Sequence, residues 1–203
     1  MNRRLAVLIS GRGSNLQSII DAIQGGAVAA SLELVISNRT DVAGLERARA
    51  AGLEAIVLSP SDYPDRDAYD AALADLLRRR DIGLVCLAGF MRLVGRPLID
   101  AFPNRILNIH PSLLPSFPGL QAQRQALQHG VRVSGATVHL VTSELDNGPI
   151  VAQSVVPVLD DDTVETLSAR ILVEEHRLYP EAIRRVLEGD WLIEGRRLVR
   201  RRP

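Results

Sequence analysis

The sequence predicts an α/β domain with a mostly parallel central sheet flanked by helices on both faces, and three observations carry that expectation. Short runs rich in Val, Ile and Leu recur with apolar residues on consecutive positions, as in strands covered on both sides. Between them lie stretches with apolar residues three and four apart, so strand and helix alternate with right-handed crossovers. The length of 203 residues suits one sizeable core better than two domains, and no linker, repeat or low-complexity segment divides it.

Taken in order, residues 5–10 (LAVLIS), 32–37 (LELVIS), 54–58 (EAIVL) and 82–89 (IGLVCLAG) are the expected strands. Residues 15–24 (NLQSIIDAIQ), 45–51 (LERARAA) and 67–80 (DAYDAALADLLRRR) are the expected helices. A strand ending at Asn108 and His110 follows, and a second strand (GATVHLVTSELDNGPIV) runs into the turn Asp146-Asn147-Gly148-Pro149. A long helix is expected over residues 163–188 after the acidic turn Asp160-Asp161-Asp162. Its face of Val164, Leu167, Ile171, Leu178, Tyr179, Ala182 and Val186 is interrupted by Glu175, and Pro180 should kink it close by. The remainder, DWLIEGRRLVRRRP, reads as a short hairpin-like end with a solvated arginine cluster.

Composition leaves several function classes without support. The chain is 46% hydrophobic and 24% charged with zero formal net charge, which offers no bulk attraction to nucleic acid or to an anionic membrane. Its apolar runs stop well short of the roughly eighteen residues that span a bilayer, and the apolar stretch near the N-terminus is too short for a signal peptide. The lone Cys86 lies in an apolar run and fits a reducing compartment, so a cytoplasmic location is expected. No metal-ligand spacing occurs, and His129, His139 and His176 read as structural or surface residues.

In parallel α/β sheets ligands sit beyond the carboxyl ends of the strands, which singles out three loops. Ser10-Gly11-Arg12-Gly13-Ser14-Asn15 is either an anion-binding turn at a helix N-terminus or a glycine turn with an N-cap. It is not a dinucleotide fingerprint, because Leu16 stands where a third glycine is needed and the second strand ends in Ser37-Asn38 rather than an acid. Gly89-Phe90-Met91-Arg92-Leu93-Val94 either caps the core or lines a slot for a flat ring. In the third, Asn108 and His110 are two apart in a strand, so their side chains share a face about 7 Å apart. Asp146 can return to that imidazole, giving an oxyanion donor, a proton handler and a carboxylate. Glu175 either pairs with a buried base or marks where its helix passes a cavity.

Together VLISGRGSNLQSII, SNRTDVAGLERA, LAGFMRLV, ILNIHPSLLPSFPG, TVHLVTSELDNGPI and VEEHRLYPEAI resemble the glycinamide ribonucleotide formyltransferase family, in that order and over nearly the whole chain. The resemblance implies a Rossmann-like formyltransferase domain over residues 1–203, with a phosphate-binding half (1–100), a catalytic half (101–188) and a tail (189–203). It implies Asn108, His110 and Asp146 as the catalytic trio. Gly13, Ser14 and Asn15 would hold the ribonucleotide phosphate, and Leu172, Val173, Glu174 and Glu175 its glycinamide and ribose end. Formyl-tetrahydrofolate, the implied formyl donor, would use Arg66, Met91, Arg92, Leu93, Val94, Asn108, Thr142, Ser143, Glu144, Leu145 and Asp146. Asp146 is expected to raise the His110 pKa and keep an imidazolium near neutral pH. The implied partners are small molecules only, with no nucleic acid, membrane or metal, and the chain is expected as a monomer or homodimer. One departure is Leu120-Gln121-Ala122-Gln123, where some relatives carry histidine. A methionyl-tRNA formyltransferase would add a domain and a basic face, and a formyl-folate hydrolase has no evident need of SGRGSN.

Overall fold

A computed structural model, which describes residues 2–201, contains fifteen strands and α-helices, and the first eleven of them alternate strand with helix. β1 (Arg4–Ile9), β2 (Ser31–Ser37), β3 (Ala55–Val57), β4 (Leu84–Leu87) and β5 (Ile106–His110) pair parallel to one another. β6 (Val133–Leu140) and β7 (Ile150–Pro157) then add antiparallel to β5 and to each other. A terminal hairpin, β8 (Trp191–Glu194) and β9 (Arg197–Arg200), joins the β7 edge through Ile150 and Arg197. The resulting order across nine strands is β3-β2-β1-β4-β5-β6-β7-β9-β8.

β1 shows why its run is apolar throughout. Leu5, Val7 and Ile9 pack into one core layer with α1 (Ser14–Gln24), α2 (Ala43–Ala50) and α6 (Val164–Glu188). Ala6 and Leu8 face the opposite layer, under α3 (Arg66–Arg79) and α4 (Arg96–Ala101). A strand covered on both faces has no solvent side to spend on polar residues, and each fully buried Leu or Ile contributes roughly 1.5–3 kcal/mol.

α6 buries Leu167, Ile171, Leu178, Tyr179, Ala182 and Val186, with Glu175 among them as expected. Thr163 caps it: its hydroxyl accepts from the Thr166 amide at 3.3 Å, and the Thr166 hydroxyl accepts from the Thr163 amide at 2.9 Å. The helix runs unbroken through Pro180.

Three elements lie outside the sequence expectation: α4, α5 (Ala122–Gln128) and β7. The two helices span six and seven residues, too short for a periodic stripe to show. The arginine cluster is not simply a solvated tail. Arg197 and Arg200 belong to β9, Arg200 pairs with Asp190 at 2.7 Å, and Arg185 donates to the Leu198 carbonyl at 3.0 Å. Arg202 and Pro203, also assigned to that tail, lie outside the described residues.

Candidate active site

Adjacent parallel strands place three loops on one edge of the sheet. Leu8 of β1 pairs with Leu87 of β4, which pairs with Asn108 of β5, so the carboxyl ends of these strands line up. At roughly 5 Å per strand, the turn after β1 lies about 10 Å from Asn108.

At the end of β5 the antiparallel partner β6 sets Asn108 opposite His139 and His110 opposite Thr137. The β6–β7 connection then returns Asp146, held at φ 47, an αL conformation that a short polar side chain tolerates. Asp146 Oδ2 lies 3.4 Å from His110 Nδ1 and Oδ1 lies 3.5 Å from His139 Nε2. The Gly119 amide donates to Asp146 Oδ2 at 2.8 Å, and His110 Nε2 donates to the Phe117 carbonyl at 2.8 Å. Asn108 Nδ2 sits 3.1 Å from His139 Nε2. The three residues expected to converge do so, and His110, His139 and Asp146 all keep side-chain exposures below a tenth.

The electrostatics differ from the sequence expectation at one point. Burial holds His110 below the usual imidazole range, and the contacts with Phe117 and Asp146 that pull it upward do not prevail. The free protein therefore carries a neutral His110 near pH 7, not an imidazolium. Burial also works to raise Asp146, yet His139, the Gly119 amide and His110 together hold it below the ordinary carboxylate range. Both ring nitrogens of His110 face acceptors, so a proton arriving at Nδ1 lands against a carboxylate that is already charged.

The turn after β1 ends at Gly13, the N-cap of α1, with φ 72 and no side-chain cap. The first helical amides are thus open to a ligand, which favours the anion-binding alternative over a side-chain N-cap. Ser14 opens the helix, and Asn15 is buried, its amide donating to Glu175 Oε2 at 2.7 Å. Among the described residues Glu175 has no basic partner. Burial raises its pKa, and the bond from Asn15 only partly offsets this. Asn15 Oδ1 is buried and has no partner among the described residues, a polar atom that a ligand donor would satisfy. Of the other residues expected here, Val173 is exposed, Leu172 is half-buried, and Glu174 turns to Ser154 and Arg177 instead of to Asn15.

After β4, Phe90 caps the core, but Met91 and Leu93 are 70% and 57% exposed, so capping does not account for them. Val94 packs partly against the core, and the Arg92 guanidinium lies 4.8 Å from the centre of the Tyr69 ring. Arg66 stands at the start of α3, its Nε within 3.5 Å of where a Cβ on Gly95 would fall, so it flanks the same segment. In the loop after β6, Thr142 donates to the Glu144 carbonyl at 3.4 Å, Glu144 accepts from Asn147, and Ser143 and Leu145 are exposed.

His139 is the residue that sequence reasoning set aside. Its signal was present only in register: pairing the two strands antiparallel with Leu107 opposite Leu140 brings His139 across from Asn108. A concavity of about 560 Å³ between α1 and α2, lined by Gln17, Ile20, Ala43 and Arg47, does not include the trio. Among the described residues no cluster of His, Cys, Asp and Glu is arranged to hold a metal, and no helix is long and apolar enough to cross a membrane.

Residues 3–183 match the family model described as formyl transferase. The chain is 43% identical over 192 residues to phosphoribosylglycinamide formyltransferase of Escherichia coli (strain K12), covering 95% of this chain and 88% of that protein. It is 48% identical over 189 residues to the trifunctional purine biosynthetic protein adenosine-3 of Drosophila pseudoobscura pseudoobscura, covering 92% of this chain but only 14% of that protein's length. Among solved structures, glycinamide ribonucleotide transformylase 1 from Symbiobacterium toebii superposes with a TM-score of 0.96 at 59% identity, covering 98% of this chain and 94% of the other.

Proposed function

The chain belongs to the formyl transferase family, and from that premise we propose that it transfers the formyl group of formyl-tetrahydrofolate to the amine of glycinamide ribonucleotide. The products are formylglycinamide ribonucleotide and tetrahydrofolate, a step of purine biosynthesis in the cytoplasm. The observation that carries this reading is the meeting of Asn108, His110 and Asp146 at the sheet edge that also presents the Gly13–Asn15 turn.

The residues present suit both substrates. Gly13, Ser14 and Asn15 offer helix N-terminal amides to a phosphate, and Glu175 with the unpartnered Asn15 Oδ1 offers acceptors to hydroxyl and amine donors. The ribonucleotide site thereby draws on both halves of the chain, 1–100 and 101–188. Exposed Met91, Leu93 and Leu145 offer apolar surface to a flat ring, and Arg66 offers charge to an acidic tail.

In the reaction the substrate amine attacks the formyl carbon, and the carbonyl electron pair moves onto oxygen. Asn108 donates a hydrogen bond to that oxygen. His110, neutral in the free protein, accepts the proton that the attacking nitrogen must lose, and Asp146 stabilises the imidazolium as it forms. The imidazolium then returns the proton to the folate nitrogen as its bond to carbon breaks. A pKa below the usual imidazole range matches this role better than a permanent charge would.

The deciding assay mixes the protein with formyl-tetrahydrofolate and follows tetrahydrofolate release with and without glycinamide ribonucleotide. Release that needs the ribonucleotide supports transfer. Release without it assigns a hydrolase, and none at all removes the reading.

A further inference from the structure

The sheet order turns back between β1 and β4, so the loops leaving those neighbouring strands diverge and open a crevice at their carboxyl ends. Ser10 stands in that crevice with 3% of its surface exposed. Its hydroxyl donates to Asn38 Oδ1 at 2.6 Å and accepts from the Met91 amide at 2.8 Å. One side chain thus ties together the loops after β1, β2 and β4.

The Met91 end of this tie is informative. The backbone amide is pinned, while the Met91 and Leu93 side chains project into solvent and contribute little packing of their own. Gly89 turns the chain at φ 71 just before, and the next backbone anchor is the Gly95 amide on Asp70 Oδ2. Between those points Phe90 packing, the stacking of Arg92 on Tyr69 and the Ser10 bond define where the segment lies.

We propose that Ser10 is a positioning residue that holds the Met91–Val94 segment in register with the Gly13–Asn15 turn, so that the folate is presented at the right distance from the ribonucleotide. This rests on the reading of Met91–Val94 as folate-binding. Ser10 has no proton left to donate to a substrate, because its one hydroxyl hydrogen goes to Asn38 while the oxygen accepts from Met91, and its side chain is almost fully covered.

The test compares Ser10→Ala with Ser10→Thr, which keeps the hydroxyl. Loss of a partly buried bond of this kind should raise KM for formyl-tetrahydrofolate about tenfold, with KM for the ribonucleotide held within about twofold. Amide exchange at Met91 should accelerate by a similar factor, and the threonine variant should restore both. A folate KM that stays at the wild-type value, or two KM values that rise together, overturns the proposal. So does unchanged exchange at Met91. If the wild-type chain transfers no formyl group, the functional reading fails separately, and calorimetric binding of tetrahydrofolate decides Ser10: about tenfold weaker binding in Ser10→Ala supports it, and equal binding overturns it.

Discussion

Asn108 and His139 face each other across β5 and β6, with the Asn108 amide nitrogen 3.1 Å from His139 Nε2. His139 Nδ1 lies 3.1 Å from the Leu140 carbonyl, and Nε2 stands between the Asn108 amide and Asp146 Oδ1, 3.5 Å away. The ring therefore fixes which way the Asn108 amide points. His139→Ala should release that amide and lower kcat about ten- to a hundredfold, since small misplacements of a catalytic group cost factors of that size. Ribonucleotide KM should not change. Steady-state kinetics check this, and a wild-type kcat would show that Asn108 is oriented by something else.

That pair also shows where sequence reading stops. The strand and helix order was visible because parallel strands buried on both faces spell themselves out as apolar runs, such as LAVLIS and GLVCLAG. Asn108 and His110 were visible because strand spacing alone puts them on one face. His139 depends on the register between two antiparallel strands, β5 and β6, joined through an irregular loop and α5 over residues 111–132, and register is not encoded in spacing. The neutral state of His110 was hidden for a related reason: its carboxylate neighbour can be guessed from motif order, but the burial that outweighs it exists only after folding.

His110 is the group to which the proposed proton transfer is assigned. His110→Ala should lower turnover a hundredfold or more, in line with the 3 to 4 kcal/mol or so of barrier lost with a single catalytic donor. Ribonucleotide binding should change little, because that site is proposed to lie on the turn after β1 and at Glu175, which Asn15 joins by a hydrogen bond. Turnover that survives within a few-fold would remove His110 from the chemistry.

The pH dependence follows from the sign of each shift. A histidine whose folded pKa is depressed resists the proton that the unfolded chain accepts near pH 6.5, so stability is lost as pH falls from about 6.5 toward the folded value. Asp146, also depressed, adds a loss in the same direction as pH falls below about 3.8. Denaturant unfolding of wild type and His110→Gln between about pH 5 and about pH 8 should show a smaller acid loss in the variant. In kinetics, kcat/KM should fall on the acid side with a midpoint below the usual imidazole value, as a base of lowered pKa requires. A fall on the alkaline side through neutral pH would instead assign an imidazolium to the free protein.

Glu175 has the opposite sign. Burial raises its pKa, so ionising it costs folded-state stability as pH rises through and above the ordinary glutamate range. Glu175→Gln keeps the shape and removes that cost, so the variant should melt above wild type at about pH 8 and lose the advantage near pH 4. The same change takes a charged acceptor from the proposed ribonucleotide site, so ribonucleotide KM should rise about tenfold or more. A variant that gains stability and keeps its KM would leave Glu175 with no part in binding.

Gly13 joins a conformational demand to a packing one. Its φ of 72 lies in the left-handed region, and a Cβ there would come within 2.7 Å of the Gly44 Cα, which is backbone at the start of α2 and has no side chain to rotate away. An L-residue in that conformation costs about 1–2 kcal/mol before any clash, and relieving the clash must push α2 away or move the turn. Moving the turn re-aims the free amides at the start of α1, on which phosphate binding is proposed to depend. Gly13→Ala should therefore lower Tm by about 2–8 °C and raise ribonucleotide KM more than folate KM. Thermal melts and the two KM values check it, and a loss of Tm with both KM values unchanged would separate the turn from the phosphate.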